Sequence, residues 1–224
     1  MAATSALTIV NGVLARLREI QTTAGSFPFS AYPQLILKLV NDTKRECEDS
    51  WDWTMLRRPL SFNTVNGQGT YTLTGAGQRY RFYDRAKQIW NQTNRTQIIP
   101  APQAQFDQWQ YTSVVNNQFP NWYKVTGSDP NGDPTITLYP TPNGVFSIIV
   151  PLVIPEPDLV LYSDVFNTPP LPVELGTWAR SISERGEDGG TASDLAWQTY
   201  QNALADHIAL DAPRVADETV WLTV

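Results

Sequence analysis

The spacing of apolar residues sets the first expectations. Leu7, Val10, Val13, Leu14, Leu17 and Ile20 recur every three or four positions, which predicts a helix with one buried stripe over residues 5–21. Gly25 and Pro28 break that pattern within 22–29. Ser30 then stands where a helix cap is needed, and Pro33 falls in the first turn, where a missing N–H costs nothing. Leu35, Ile36, Leu39, Val40, Thr43 and Cys47 form the stripe of this second helix, which runs to Trp51 or beyond and is ended by Pro59.

From Leu60 the period changes. Residues 70–74 alternate and are rich in β-branched and aromatic side chains, as a strand requires. Residues 79–83, 86–91, 122–126, 135–139 and 145–153 are the other expected strands, and 103–111 a short helix. Gly67, Gly75, Gly77 and the segment 129–134 punctuate them. Connections this short predict mostly antiparallel pairing. After a joint containing Pro151, Pro155, Pro157, Pro169 and Pro170, helical spacing returns. Pro172 opens a helix carrying Leu175, Trp178, Ala179 and Ile182 that runs out at Gly186. Thr191 and Asp194 resemble a capping box and start another, with Leu195, Tyr200, Leu204 and Ile208, which stops before Pro213.

The expected fold is α+β. A helical bundle is built from 1–58 and 168–211, because single apolar stripes must cover one another. A mostly antiparallel β domain is inserted at 59–167, and an extended C-terminal arm spans 212–224. That arm is polar, then abruptly apolar at Val220, Trp221, Leu222 and Val224. Such groups on a short end either fold back on their own subunit or plug a partner's pocket.

Composition narrows the function classes. A formal net charge of −6 excludes a chain-wide clamp on nucleic acid, which needs a basic surface to displace counterions. One cysteine, Cys47, excludes an internal disulfide and a thiolate metal site, and suits folding in a reducing cytoplasm. Eight Trp, nine Tyr, eight Phe and seventeen Pro point to a rigid protein with large contact surfaces. The N-terminal residues lack a positive n-region, and the apolar run 147–154 is broken by Pro151, so neither a signal peptide nor a membrane span is expected.

Candidate chemistry is sparse, and no catalytic, cofactor-binding or metal-binding residues are assigned. His207, the sole histidine, sits among helical residues beside Asp206 without a nucleophile or a zinc spacing. Cys47 lies on an apolar stripe, where an inert thiol is expected. Asp129, Asn131 and Asp133 begin like a calcium loop, but Pro134 and Pro140 occupy positions that need Gly and Glu, and a hairpin turn on Asn131-Gly132 explains them. Glu184 and Asp188 could serve a glycan hydrolase, yet fall in a glycine-rich helix-to-helix turn. The sequons at Asn41, Asn91 and Asn94 are chance matches. Arg79, Arg81, Arg85 and Lys87, interleaved with Tyr80, Phe82 and Tyr83, form the one basic-aromatic cluster. In an acidic protein it is expected to meet an acidic patch on a neighbouring subunit or partner rather than nucleic acid.

A set of ordered patches carries a resemblance. Val40-Asn41-Asp42-Thr43-Lys44-Arg45-Glu46-Cys47-Glu48-Asp49-Ser50-Trp51-Asp52-Trp53 with Leu56-Arg57 comes first. Tyr71-Thr72-Leu73-Thr74-Gly75 with Gln78-Arg79-Tyr80-Arg81 follows. Asn131-Gly132-Asp133-Pro134 with Leu138-Tyr139-Pro140, the run Glu184-Arg185-Gly186-Glu187-Asp188-Gly189-Gly190, and Asp217-Glu218-Thr219-Val220-Trp221 complete it. Together they resemble the head-to-tail adaptors of tailed bacteriophages, the neck connector or tail tubular protein A-like family. The resemblance implies a ring of about twelve copies in the virion neck, assembled in the host cytoplasm. It also implies the portal protein above, tail or nozzle proteins below, and genomic DNA passing through the lumen without specific binding. In an acidic chain, more Asp and Glu than Lys and Arg are expected to face that lumen. The C-terminal arm of such adaptors reaches the portal, which gives Val220, Trp221, Leu222 and Val224 a pocket. The Phe27-Pro28-Phe29 loop has no counterpart in that pattern. The alternatives are a tail-associated peptidoglycan hydrolase using Glu184 and Asp188, and a carbohydrate-binding tail module using exposed Trp and Tyr.

Overall fold

The computed structural model describes residues 3–23, 31–82, 89–112, 117–186 and 191–212. In chain order these form β1 (Thr4–Ser5), α1 (Ala6–Arg16), α2 (Ala31–Ser50), a 3₁₀ turn (Thr54–Leu56), β2 (Arg57–Asn63), β3 (Thr70–Thr72), β4 (Arg81–Phe82), β5 (Ile89–Asn91) and β6 (Thr96–Pro100). There follow α3 (Gln103–Thr112), β7 (Asn117–Gln118), β8 (Trp122–Ser128), β9 (Pro134–Tyr139), β10 (Thr141–Pro142), β11 (Ser147–Val153), β12 (Val165–Phe166), α4 (Pro170–Arg185) and α5 (Thr191–Asp211). The fold is mixed α and β. Two compact units divide it: Met1–Leu56 with Glu156–Val224, and Arg57–Pro155.

In the helical unit, Ser5 caps α1 by accepting the Thr8 N–H at 3.3 Å. The helix stops at Arg16 rather than at residue 21, because Arg18 takes φ +58° and the chain turns back. The Asn11 amide pairs with both backbone groups of Thr22, each at 2.9 Å, so 17–22 folds alongside the helix instead of extending it. Ile20, expected on the stripe, is left 92% exposed. At the far end of the chain, α4 begins two residues earlier than Pro172 and ends at Gly186, whose φ of +63° closes the helix.

Helix α4 touches α1, α2 and α5. Ile9, Val10, Val13, Ile36, Val40, Cys47, Val173 and Tyr200 are buried in the resulting core. Close approach depends on Gly176: a Cβ there would lie 2.6 Å from Thr43 Cγ2 and 2.9 Å from the Tyr200 ring.

The segment between the β unit and α4 is fastened to α2 by polar groups. Lys44 and Glu48, one turn apart and both fully buried, pair at 2.8 Å. Lys44 Nζ also donates to the carbonyls of Glu156 and Pro157, at 2.9 and 3.1 Å. Glu48 accepts from the Glu156 N–H at 3.3 Å and the Thr168 hydroxyl at 3.4 Å. Asn41 donates to the Leu159 carbonyl and accepts its N–H, at 2.9 and 2.8 Å, and Arg45 pairs with Asp158. Spacings of three and four residues place Asn41, Lys44, Arg45 and Glu48 on one face of α2.

In the β unit, an eight-stranded sheet runs β2-β11-β5-β6-β8-β9-β3, with β4 also on β11. Its pairings are antiparallel except β6 with β8. The sheet curls, bringing the Phe62 ring of β2 to 4.9 Å from the Tyr71 ring of β3. Ile89, Ile98, Tyr123, Ile136, Leu138, Ile148, Val150 and Leu152 fill its inner face. Strands β2 and β6 were not among the expected strands. In β2, Pro59 is tolerated on an edge strand, and it lies opposite Pro151 in register, where neither residue has an N–H to give.

Two stability predictions follow from the helical unit. Gly176→Ala should lower stability by about 1–3 kcal/mol through overpacking, read as a fall in thermal midpoint. Lys44→Met should cost about 3–5 kcal/mol in urea unfolding, because Glu48 is left buried without its cation; Lys44→Met with Glu48→Leu should recover most of that loss.

Candidate functional site

The sequence directs attention to the C-terminal arm, the basic-aromatic cluster and a few reactive side chains. Val220, Trp221, Leu222 and Val224 lie outside the described residues, but the root of the arm does not. Asp211, the last residue of α5, is buried, and its Oδ2 accepts from Trp51 Nε1 at 3.2 Å, from the Thr54 N–H at 3.0 Å and from the Thr54 hydroxyl at 3.1 Å. The Thr54 N–H is one of the donors that the first turn of a helix leaves without an internal partner. The end of α5 is therefore fixed beside the C-terminal end of α2. No local sequence signal marks Asp211, because its partners lie about 160 residues earlier.

Of the basic cluster, Arg85 and Lys87 also lie outside the described residues. Arg79 precedes β4 and is half-buried; Arg81 lies in β4 and is half-buried too. The register places Arg81 opposite Val153 from one side and Arg57 opposite Val153 from the other. Directly opposed residues share a face, so Arg57, Val153 and Arg81 form one row across three strands. Sequence proximity grouped Arg79 with Arg81; only the pairing of β11 adds Arg57.

The candidate reactive groups are committed to the fold. Cys47 is buried, and burial pushes its thiol up to about 12, only partly offset by the Tyr200 hydroxyl 3.8 Å away. The Tyr200 hydroxyl is likewise raised, by burial first and then by Cys47. At neutral pH the thiol is protonated and unreactive. His207 Nδ1 lies 2.8 Å from the Ala203 carbonyl of its own helix, as its donor. Glu184 is exposed near the end of α4, while Asp188 lies outside the described residues. The Asn41 amide is occupied by Leu159, so its sequon is a structural asparagine. Among the described residues no group of three or more His, Cys, Asp or Glu could hold a metal ion.

The Asp129–Asp133 loop joins β8 to β9. Asp129 Oδ1 accepts the N–H groups of Asn131 and Asp133, at 2.9 and 2.8 Å, and Gly132 has φ +84°. The Asp133 carboxylate accepts the N–H groups of Gly77 and Gly75, at 2.6 and 3.1 Å. These bonds hold it below the ordinary carboxylate range, Gly77 contributing most. Two patches of the resemblance, 71–81 and 131–140, thus meet in space.

Half-buried rings cover the outer side of this sheet. Trp109 of α3 stacks on Tyr139 at 4.8 Å and meets Trp122 at 5.4 Å, so these rings use their faces on one another. Charge divides between the units. Arg57–Pro155 carries eight Lys and Arg against four Asp and Glu, whereas the helical unit carries eight against eighteen.

The family model described as SU10 adaptor protein matches residues 4–219, nearly the whole chain and both units. The chain belongs to the SU10 adaptor protein family. It is accordingly a bacteriophage adaptor, a structural protein. No curated protein matches it. No helix among the described residues is long and apolar enough to cross a membrane.

The Asp133 bonds make the β unit acid-sensitive. A carboxylate whose value is lowered by folding contributes stability that is complete above its unfolded value, about 4, and is lost as pH falls through the lower folded value. Near-UV circular dichroism on acidification should therefore show the β unit loosening below about pH 4. Asp133→Asn should be less stable than the wild type at pH 7 and should lose part of that acid dependence.

Proposed function

We propose that the chain is a subunit of a neck ring, about twelve copies around one axis, that joins the portal of the phage head to tail or nozzle proteins and extends the DNA tunnel. The observation that carries this reading is the family match spanning both units. Several features support it. The two ends of the chain contribute helices to one unit, in which α4 contacts α1, α2 and α5. The acidic excess sits in that unit, and a wall of like charge lets duplex DNA slide, since no cations grip its phosphates. Cys47 and His207 are engaged by the fold rather than by each other.

The arm is the proposed portal-docking element. Val220, Trp221, Leu222 and Val224 would fill an apolar pocket, with Trp221 as the anchor. Its root at Asp211 is held by Trp51 and Thr54, which lowers the entropy lost on docking. Arg79, Arg81, Arg85 and Lys87 are the proposed contact with an acidic surface of a neighbouring subunit or partner.

Deleting 217–224 should leave the thermal midpoint of the free protein within a few degrees of wild type and abolish co-sedimentation with portal-bearing heads. Trp221→Ala alone should weaken that binding by about 2–4 kcal/mol. Truncated protein that binds heads with wild-type affinity would exclude the arm as the docking element.

A further inference from the structure

The helical unit exposes an apolar rim on the segment fastened to α2. Val160, Leu161 and Val165 are 67%, 46% and 59% exposed. They are held together rigidly. The Asp164 carboxylate accepts the N–H groups of Val160 and Leu161, both at 2.8 Å, and the Asp164 N–H returns to the Leu161 carbonyl at 3.0 Å. The backbone is tied down on the other side as well, since Ala6 and Leu7 of α1 donate to the carbonyls of Asp164 and Tyr162. Tyr162, inside this turn, has a buried hydroxyl without a hydrogen-bond partner among the described residues. Solvent-facing aliphatics on a rigid turn, in a segment that also holds an unsatisfied hydroxyl, are the marks of a surface that a further segment covers.

We propose that in the free subunit this rim is covered by the apolar end of the subunit's own C-terminal arm, Val220, Trp221, Leu222 and Val224. The reach is set by α2. Asn41, Lys44 and Glu48 recur at spacings of three and four along one stripe of the helix, and Trp51 directly follows its last residue, Ser50. The first three hold the segment that leads into the rim, and Trp51 holds Asp211, where the arm begins. The arm root therefore lies at the C-terminal end of α2, and Leu159 is held at Asn41, about 14 Å back along the axis. Eight residues, 212–219, separate Asp211 from the apolar end, and extended they span about 26 Å. The arm reaches the rim of its own chain without strain. The match is also chemical: both surfaces are aliphatic or aromatic, and each alone would be exposed to water. This occupancy belongs to the free subunit and stands whether or not the arm later binds the portal. If it does, portal binding must displace the arm from the rim.

Hydrogen exchange on the full-length free protein reads this contact. In Trp221→Ala/Leu222→Ala, the amides of residues 158–166 should exchange at least about tenfold faster than in wild type, with the α4 amides and the α1 amides beyond Leu7 unchanged. Independently, Leu161→Cys with Leu222→Cys should form a disulfide within one chain under mild oxidation; the buried Cys47 thiol does not compete. Equal exchange in the two proteins would overturn the proposal. A disulfide found only between chains would overturn it too, assigning the rim to the arm of a second copy. Neither readout involves heads or portal, so a failed co-sedimentation leaves both interpretable.

Discussion

Lys44 and Glu48 form an ion pair taken wholly out of water, and burying such a pair is tolerated only when each charge finds several partners. Here the partners are backbone groups of 156–157 and the Thr168 hydroxyl. The pair therefore fixes the path of the chain as it returns to the helical unit. Asn41 and Arg45 extend the same seam to Leu159 and Asp158. The position of the aliphatic rim and the path into α4 follow from this one face. A wholly apolar α2 face could hold the segment as tightly, but without fixing the register of its backbone, because dispersion has no direction.

The second constraint is steric. Helix α4 approaches α2 and α5 at Gly176, where no side chain fits, and Thr43 links to Thr177 and Arg180 beside it. Directional bonds thus surround the closest contact in the core. The outcome is a unit built from both ends of the chain, with the end of α5 fixed beside α2.

In the β unit the corresponding role falls to Asp133. Its carboxylate joins the loop after β8 to the glycine turn after β3, tying together segments about 56 residues apart. The Phe62–Tyr71 contact brings the two outermost strands together where no backbone ladder does. The unit also carries more basic than acidic residues, with Arg57 and Arg81 in one row, so the two units of one acidic chain have opposite charge balance.

Local pattern was enough to read the helices α2, α4 and α5, the strands β8, β9 and β11, and the inertness of Cys47, because an apolar stripe or an alternation is set by neighbours a few residues away. The ordered patches were likewise enough for the family, and the apolar arm was visible as composition. Tertiary structure decided what long-range partners decide. Helix α1 ends at Arg16 because Asn11 captures Thr22; β2 exists because β11 supplies its partner and sets Pro59 against Pro151. Asp211 became the root of the arm through Trp51 and Thr54, and Arg57 joined Arg81 through Val153. In sequence Lys44 and Glu48 are two charges one turn apart, with no local signal that they are buried. Only the return of residues 156–168 over them removed the water and made that pair the centre of the helical unit.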